Sequence, residues 1–141
     1  MTRRRRIATR FALAMPLLAG AVGASELDDR IAGANLKRGQ LFYMQCKTCH
    51  DLEAGLPHRV GPNLNGVLGR KAGSAAGFKY SDVLAKSGVV WDRETLDAWI
   101  RQPAALVPGN AMAYPGFASD ADRAAVIAWM LANGADGAAK P

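Results

Sequence analysis

The sequence predicts a small, single-domain all-α fold in which short helices alternate with long loops. Three observations carry this. Apolar residues recur at helical spacing wherever they show a period, and no stretch alternates apolar and polar residues as a half-buried strand does. Ser81, Asp92 and Ser119 stand where helices can begin, and Gly88, Pro103 and Asn133-Gly134 where they can end. Two segments rich in glycine and proline, residues 52–78 and 103–118, lie between the helices, and loops this long need something to organise them.

The N-terminus is of a different kind. Residues 3–6 are four arginines, Arg10 follows, and residues 11–24 form an apolar run of 14. That run is too short to cross a hydrocarbon core of roughly 30 Å as a helix. Val22-Gly23-Ala24 offers small side chains before a cleavage at Ser25. This is the order of a secretory leader, so residues 1–24 are expected to be a signal peptide and the protein to be exported to a bacterial periplasm, with no stable membrane span. An uncleaved anchor is the alternative, disfavoured by length. Residues 25–34 form a lead-in, 35–134 the domain, and 135–141 a flexible tail. The whole chain carries a net charge of +6, but five of its 18 Lys and Arg and none of its 12 Asp and Glu fall in residues 1–24. Thirteen basic residues against twelve acidic ones leave +1, so the basicity belongs to the leader and nucleic-acid binding is not indicated.

Along the domain, Leu36, Gly39, Phe42 or Tyr43, and Cys46 share one face of a first helix. Ser81 caps a short helix over residues 82–87. Asp92 caps another that runs through Leu96, Trp99 and Ile100 and stops before Pro103. Ser119 and Asp122 resemble a capping box that opens a last helix through Val126, Trp129 and Met130.

The first helix ends in Cys46-Lys47-Thr48-Cys49-His50, the C-x-x-C-H signature of c-type haem attachment. Two thiols three residues apart can each add to a haem vinyl group, and the next residue is a histidine whose imidazole can reach the iron. Three other readings are weaker. A disulfide leaves His50 unexplained and the two loops without a core. Structural zinc needs four ligands, and His58 is the only further histidine. A redox dithiol needs a βαβ context that is absent.

Iron bound by His and Met performs electron transfer, the neutral thioether favouring the ferrous state. Downstream of the leader the candidates are Met44, Met112 and Met130. Met44 is two residues before Cys46, on the same helix, and cannot reach the opposite side. Met130 belongs to an apolar helical stripe, where core filling is the ordinary role. Met112 lies in a loop of turn-forming residues and is the chosen sixth ligand; His58, eight residues from His50, is its rival.

Beyond the motif, the stretches CKTCH, GPNLNGVLGRKAG, GFKYSD, GVVWDRETLDAWIRQP and PGNAMAYPGF occur in order. From Gly39 to Asn133 the chain resembles the class I c-type cytochromes, the group of mitochondrial cytochrome c and its bacterial relatives. The resemblance implies an all-α cytochrome c fold of helices and long loops wrapped around one covalent haem, held through thioethers to Cys46 and Cys49 and axially by His50 and Met112. It implies that the Pro62 carbonyl accepts the other imidazole N–H of His50. It assigns Arg70, Tyr80 and Trp91 to the haem propionates, with Asn110 beside one of them where relatives have Thr. It also implies that His58 ties two loops together, and that Gly39, Phe42 and Trp129 form the crossing of the first and last helices.

Two departures stand out. Trp99 replaces a Tyr that touches the ligand sulfur in many relatives. The ring of lysines that relatives present to acidic partners reads here Gln45, Ala104, Ala105, Ala111, Ala118 and Ser119, with Arg59 the main basic survivor, so steering by charge is expected to be weak. The resulting expectation is not an enzyme but a monohaem one-electron carrier between a redox donor and acceptor protein. The alternatives are a haem subunit of a periplasmic dehydrogenase or oxidase and, further off, a haem sensor or peroxidase-like protein.

Overall fold

In the computed structural model the backbone of residues 22–137 is described, with side chains from Glu26 onward. Among the described residues six helices follow in order: α1 (Val22–Ala32), α2 (Leu36–Lys47), α3 (Asp82–Ala85), α4 (Arg93–Arg101), α5 (Pro103–Leu106) and α6 (Asp120–Leu131). The only extended pairing described is one antiparallel bridge, Lys71 with Val90. The fold is the all-α one that the sequence predicts.

The helices begin where their caps dictate. Asn35 accepts the Arg38 N–H at 3.1 Å and starts α2. At α4 the box is complete: Asp92 accepts the Thr95 N–H, and the Thr95 hydroxyl oxygen accepts the Asp92 N–H, each at 2.7 Å. At α6 only half of it forms. Ser119 accepts the Asp122 N–H at 3.3 Å, but the Asp122 carboxylate turns away to Arg38 Nε at 2.5 Å and so ties the start of α6 to α2. Ser81 precedes α3 without a side-chain capping bond. Pro103 does more than end α4: at the first position of α5 its fixed φ opens a further single turn.

The central contact is α2 crossing α6. A Cβ on Gly39 would lie 2.0 Å from the Ala125 carbonyl oxygen and 3.0 Å from Trp129 Cβ, so the two backbones meet where only glycine fits. Tyr43, four residues on and therefore on the same face, is the buried aromatic of this crossing. Phe42, which the resemblance placed there, is offset by one residue. It sits half-buried at the side, edge-on to Phe117 at 5.4 Å and under the Arg38 guanidinium. Leu96, Trp99 and Ile100 from α4 and Val126, Ile127 and Met130 from α6 fill the core.

Helix α1 was not expected. Its second half buries Leu27 and Ile31, four residues apart, and ion pairs join Asp28 to Arg93 at 2.9 Å and Arg30 to Asp120 at 3.1 Å. Two apolar residues are too short a stripe to read as a helix from sequence. The tail expectation is corrected in part. Ala135 is fully buried, its N–H donates to the Met130 carbonyl and its carbonyl accepts the Leu68 N–H, both at 2.9 Å. The Ala135 carbonyl, with that of Gly134 accepting the Gly66 N–H at 2.8 Å, satisfies amides of the 66–68 loop, and the Gly137 N–H donates to the Gly134 carbonyl at 3.0 Å, so residues 135–137 are part of the domain. The proposed leader up to residue 21 and the last residues, 138–141, lie outside the described residues. Among the described residues, no helix is long and apolar enough to cross a membrane.

Candidate haem-attachment site

Helix α2 unwinds at the cysteine motif. The Cys46 carbonyl accepts the N–H groups of Cys49 and His50 at 3.1 and 2.9 Å, which wraps both thiols and the imidazole around one turn. Cys46 and Cys49 are half-buried free thiols, and burial pushes the Cys46 thiol up to about 11.

The imidazole of His50 is held from behind. Its Nδ1 lies 2.7 Å from the Pro62 carbonyl oxygen. A carbonyl can only accept, so Nδ1 carries the ring proton and Nε2 keeps its lone pair. Burial draws the ring's pKa below the ordinary value, outweighing the Pro62 bond and the Asp51 charge that raise it, and favours this neutral form. The room for the ring is made by Gly61. A Cβ there would meet His50 Cε1 at 2.2 Å and Nδ1 at 2.5 Å. The Gly61 N–H to the Cys49 carbonyl, 2.9 Å, and the Leu64 N–H to the Asp51 carbonyl, 2.7 Å, hold the two chain segments side by side.

His58 occupies both its nitrogens elsewhere. Nδ1 accepts the Asn63 N–H at 2.9 Å, so Nε2 is the nitrogen that donates, to the Ala76 carbonyl at 2.8 Å. It joins two loops, and neither nitrogen is left for a metal. Of the methionines, Met130 is buried in the core and Met44 is exposed on α2. Met112 is half-buried and packs against the core cluster on which Cys46 also packs. Its loop is shaped by Asn110, whose Oδ1 accepts the Met112 N–H at 2.9 Å and whose Nδ2 donates to the Val107 carbonyl at 2.8 Å. Tyr114 follows, its hydroxyl buried; burial and the nearby Cys46 sulfur push its pKa up to about 12. The Met112 loop and the end of α2 therefore border the same space.

A second group lies on residues 70–91. Arg70 donates to the carbonyls of Asn63 at 3.1 Å and Asn65 at 3.2 Å, and its own carbonyl accepts the Trp91 N–H at 3.0 Å. Tyr80 feels the Arg70 charge, although burial outweighs it and raises the phenol pKa. Trp91 is buried edge-on to Trp99 at 5.3 Å. Arg70, Tyr80 and Trp91 are thus brought together, whereas Asn110 spends its amide on its own loop.

The site has features of a cradle for haem. Among the described residues, the hydroxyls of Tyr43, Ser81 and Tyr114 are buried without a hydrogen-bond partner. Buried polar groups are rarely left so, and a group with a polar edge suits Ser81, next to Tyr80. Two free thiols three residues apart, a neutral oriented imidazole and a glycine that clears its ring fit a covalently held porphyrin. Sequence reasoning missed Gly61 and the inward Ser81 hydroxyl. The Gly61-Pro62 pair was visible, but nothing local shows that its missing side chain faces His50.

Comparison with known proteins agrees. The Cytochrome c family matches residues 36–133. The chain is 41% identical over 99 residues to cytochrome c of Kluyveromyces lactis, covering 70% of this chain and 90% of that protein. It is 53% identical over 85 residues to cytochrome c2 iso-2 of Magnetospirillum fulvum, covering 60% and 88%, and 43% identical over 99 residues to cytochrome c2 of Rhodoblastus acidophilus, covering 70% and 92%. With the motif, the fold and these matches in agreement, the chain belongs to the cytochrome c family, electron carriers rather than enzymes, each holding one haem c through the two cysteines of its C-x-x-C-H turn.

Proposed function

We propose that His50 and Met112 are the axial pair of this electron carrier, and that it works in the periplasm after loss of residues 1–24. The observation that carries the axial reading is the 2.7 Å contact between His50 Nδ1 and the Pro62 carbonyl. It leaves Nε2 as the coordinating nitrogen and makes the ring a better donor. Bound haem supplies the iron that gains and loses one electron. The chain holds its two sides. Pro62 and Gly61 fix the imidazole, and Asn110 and the 112–114 turn fix the thioether. Arg70, Tyr80 and Trp91 serve the propionates, which need donors once out of water. Asn110 contributes its second amide hydrogen, and Ser81 its buried hydroxyl. Its partners are redox proteins that meet a nearly uncharged face. Gln45, Ala104, Ala105, Ala111, Ala118 and Ser119 are all exposed there. Arg59 donates to the Lys47 carbonyl at 2.7 Å and lies 3.9 Å from Asp51, so its charge is partly offset.

The test is spectroscopic. Ferric wild-type protein shows the weak long-wavelength band of a methionine sulfur on iron. Met112→Ala abolishes it, and Met130→Ala keeps it while losing about 2–5 kcal/mol of stability. A band that survives Met112→Ala rejects the assignment. Native protein has the mass of the polypeptide from Ser25 plus one haem. The neutral docking face also favours a second reading, a haem subunit bound to a periplasmic dehydrogenase or oxidase. Size exclusion of native extract separates a small monomer from such a complex.

A further inference from the structure

Arg123 is wholly buried, although nothing in carrier chemistry requires a charge there. Four of its five N–H donors are placed. Nε donates to Asp97 Oδ1 at 2.8 Å, Nη1 to the carbonyls of Phe117 and Ala118, both at 2.8 Å, and Nη2 to Asp120. Asp97 lies on α4 and is also paired with Arg101 at 2.9 Å; Asp120 is also paired with Arg30 of α1. The guanidinium therefore joins α4, α6 and α1 to the chain just after Met112. Phe117 completes the joint, its N–H donating to the Ile100 carbonyl at 2.8 Å and its ring edge-on to both Phe42 and Tyr114.

We infer that Arg123 is a positioning residue for electron transfer: its fork onto the Phe117 and Ala118 carbonyls holds the C-terminal stem of the Met112 loop and so keeps the thioether in place. This rests on Met112 being the axial ligand. A buried cation needs full pairing to be tolerated, and two of the bonds here go to backbone carbonyls of the stem. A lysine would keep the charge but cannot present a planar fork to both carbonyls and Asp97. Losing one charge-assisted bond, at roughly 1.5–3 kcal/mol, corresponds to about tenfold or more in the population of the open loop.

The experiment uses ferric holoprotein of wild type, Arg123→Lys, Asp97→Asn and a control, Ile127→Ala, which empties an equally buried position on α6 that makes no loop bond. Two quantities are read under native conditions: amide hydrogen exchange at Tyr114 and Phe117, and the rate at which added imidazole displaces the sulfur ligand. Arg123→Lys is expected to raise both by about tenfold or more, and Asp97→Asn by less. Ile127→Ala is expected to lower the unfolding midpoint while leaving both within about twofold. If Arg123→Lys stays within twofold, or if the control rises equally, the inference is overturned. If Arg123→Lys does not fold, Asp97→Asn decides by the same criterion. A wild type without the sulfur band defeats the Met112 reading instead, and exchange at Phe117 still decides whether Arg123 holds the stem.

Discussion

Substituting alanine for Gly61 tests the packing around the His50 imidazole, the proposed iron ligand, directly. Gly61 is not at positive φ, so alanine suits its backbone, and the nearest obstacle is the His50 ring. A Cβ at 2.2 Å from Cε1 must be moved about 1.3 Å to reach ordinary contact near 3.5 Å. Either the imidazole swings out or the 58–63 segment retreats, and each strains the 2.7 Å bond to Pro62. Overpacking costs about 1–3 kcal/mol. The weakened hydrogen bond adds about 1 kcal/mol. The stiffer unfolded chain of alanine returns about 0.4–1 kcal/mol. The net loss is about 1–3.5 kcal/mol. With an m-value of about 3 kcal/mol/M in guanidinium chloride, the unfolding midpoint of ferric holoprotein falls by about 0.3–1.2 M. Gly55→Ala is the counterpart. Its φ is +79°, but no atom stands within 4 Å of the added Cβ. It loses about 1–2 kcal/mol through backbone strain alone and leaves the haem spectrum unchanged. A Gly61→Ala protein with the wild-type midpoint and spectrum would refute the close packing of Gly61 on His50.

Three further outcomes follow from the geometry. Gly39→Ala drives a Cβ into the Ala125 carbonyl and is expected to cost about 3 kcal/mol or more, lowering Tm by at least about 10 °C in a scan; a drop under about 3 °C contradicts the crossing. Asp92→Ala removes the cap of α4, at a cost of about 1 kcal/mol at neutral pH. Its carboxyl is held below 3.8, chiefly by the Thr95 N–H, so the folded state binds its proton less tightly than the unfolded one. The stabilisation is complete above 3.8 and disappears as pH falls through the folded value, so the gap between wild type and variant in denaturant titrations narrows only in acid below 3.8. Electron transfer with the physiological partner depends little on salt, because few uncompensated cations face it; a steep fall in the stopped-flow rate between low and physiological ionic strength contradicts this.

What was legible in the sequence is what is local in it. Helices α4 and α6 begin at Asp92 and Ser119, side chains that bond amides three residues away, so cap and apolar stripe stand together on the page. The stripe of α2 was legible without its cap, Asn35, which bonds in the same way. The cysteine turn is local for the same reason. Helix α1 and the anchored residues 135–137 were not legible, because their partners are distant: Leu27 and Ile31 pack against α6 and α4, and Ala135 bonds Leu68. Arg123 illustrates this most plainly. In sequence it is a helix charge amid Asp120 and Asp122, of the kind that usually faces solvent, and only the approach of Asp97 and the Phe117 carbonyl makes it a core residue. Pro62, Arg70 and Trp91 came from family resemblance and not from any property of those residues alone.

The long loops raise a last question, how segments without regular structure can hold an iron's ligands still. Residues 58–80 bury few large apolar side chains, yet Asn63, Asn65, Arg70 and His58 all donate to backbone carbonyls of the same region or its neighbour: Glu53, Leu56, Leu52, Asn65, Asn63 and Ala76. Polar side chains thus take the part that a sheet ladder would take, satisfying backbone groups that could not otherwise leave water. Such bonds are directional, so they fix shape where hydrophobic contact would only favour compactness. A one-electron carrier benefits from this more than an enzyme with a closing lid would, since its ligands should stay in place in both oxidation states. With His50 and Met112 as the proposed axial pair, side-chain-to-backbone bonding around them is the physical counterpart of the family's function, and the role inferred for Arg123 extends the same device to the far end of the Met112 loop.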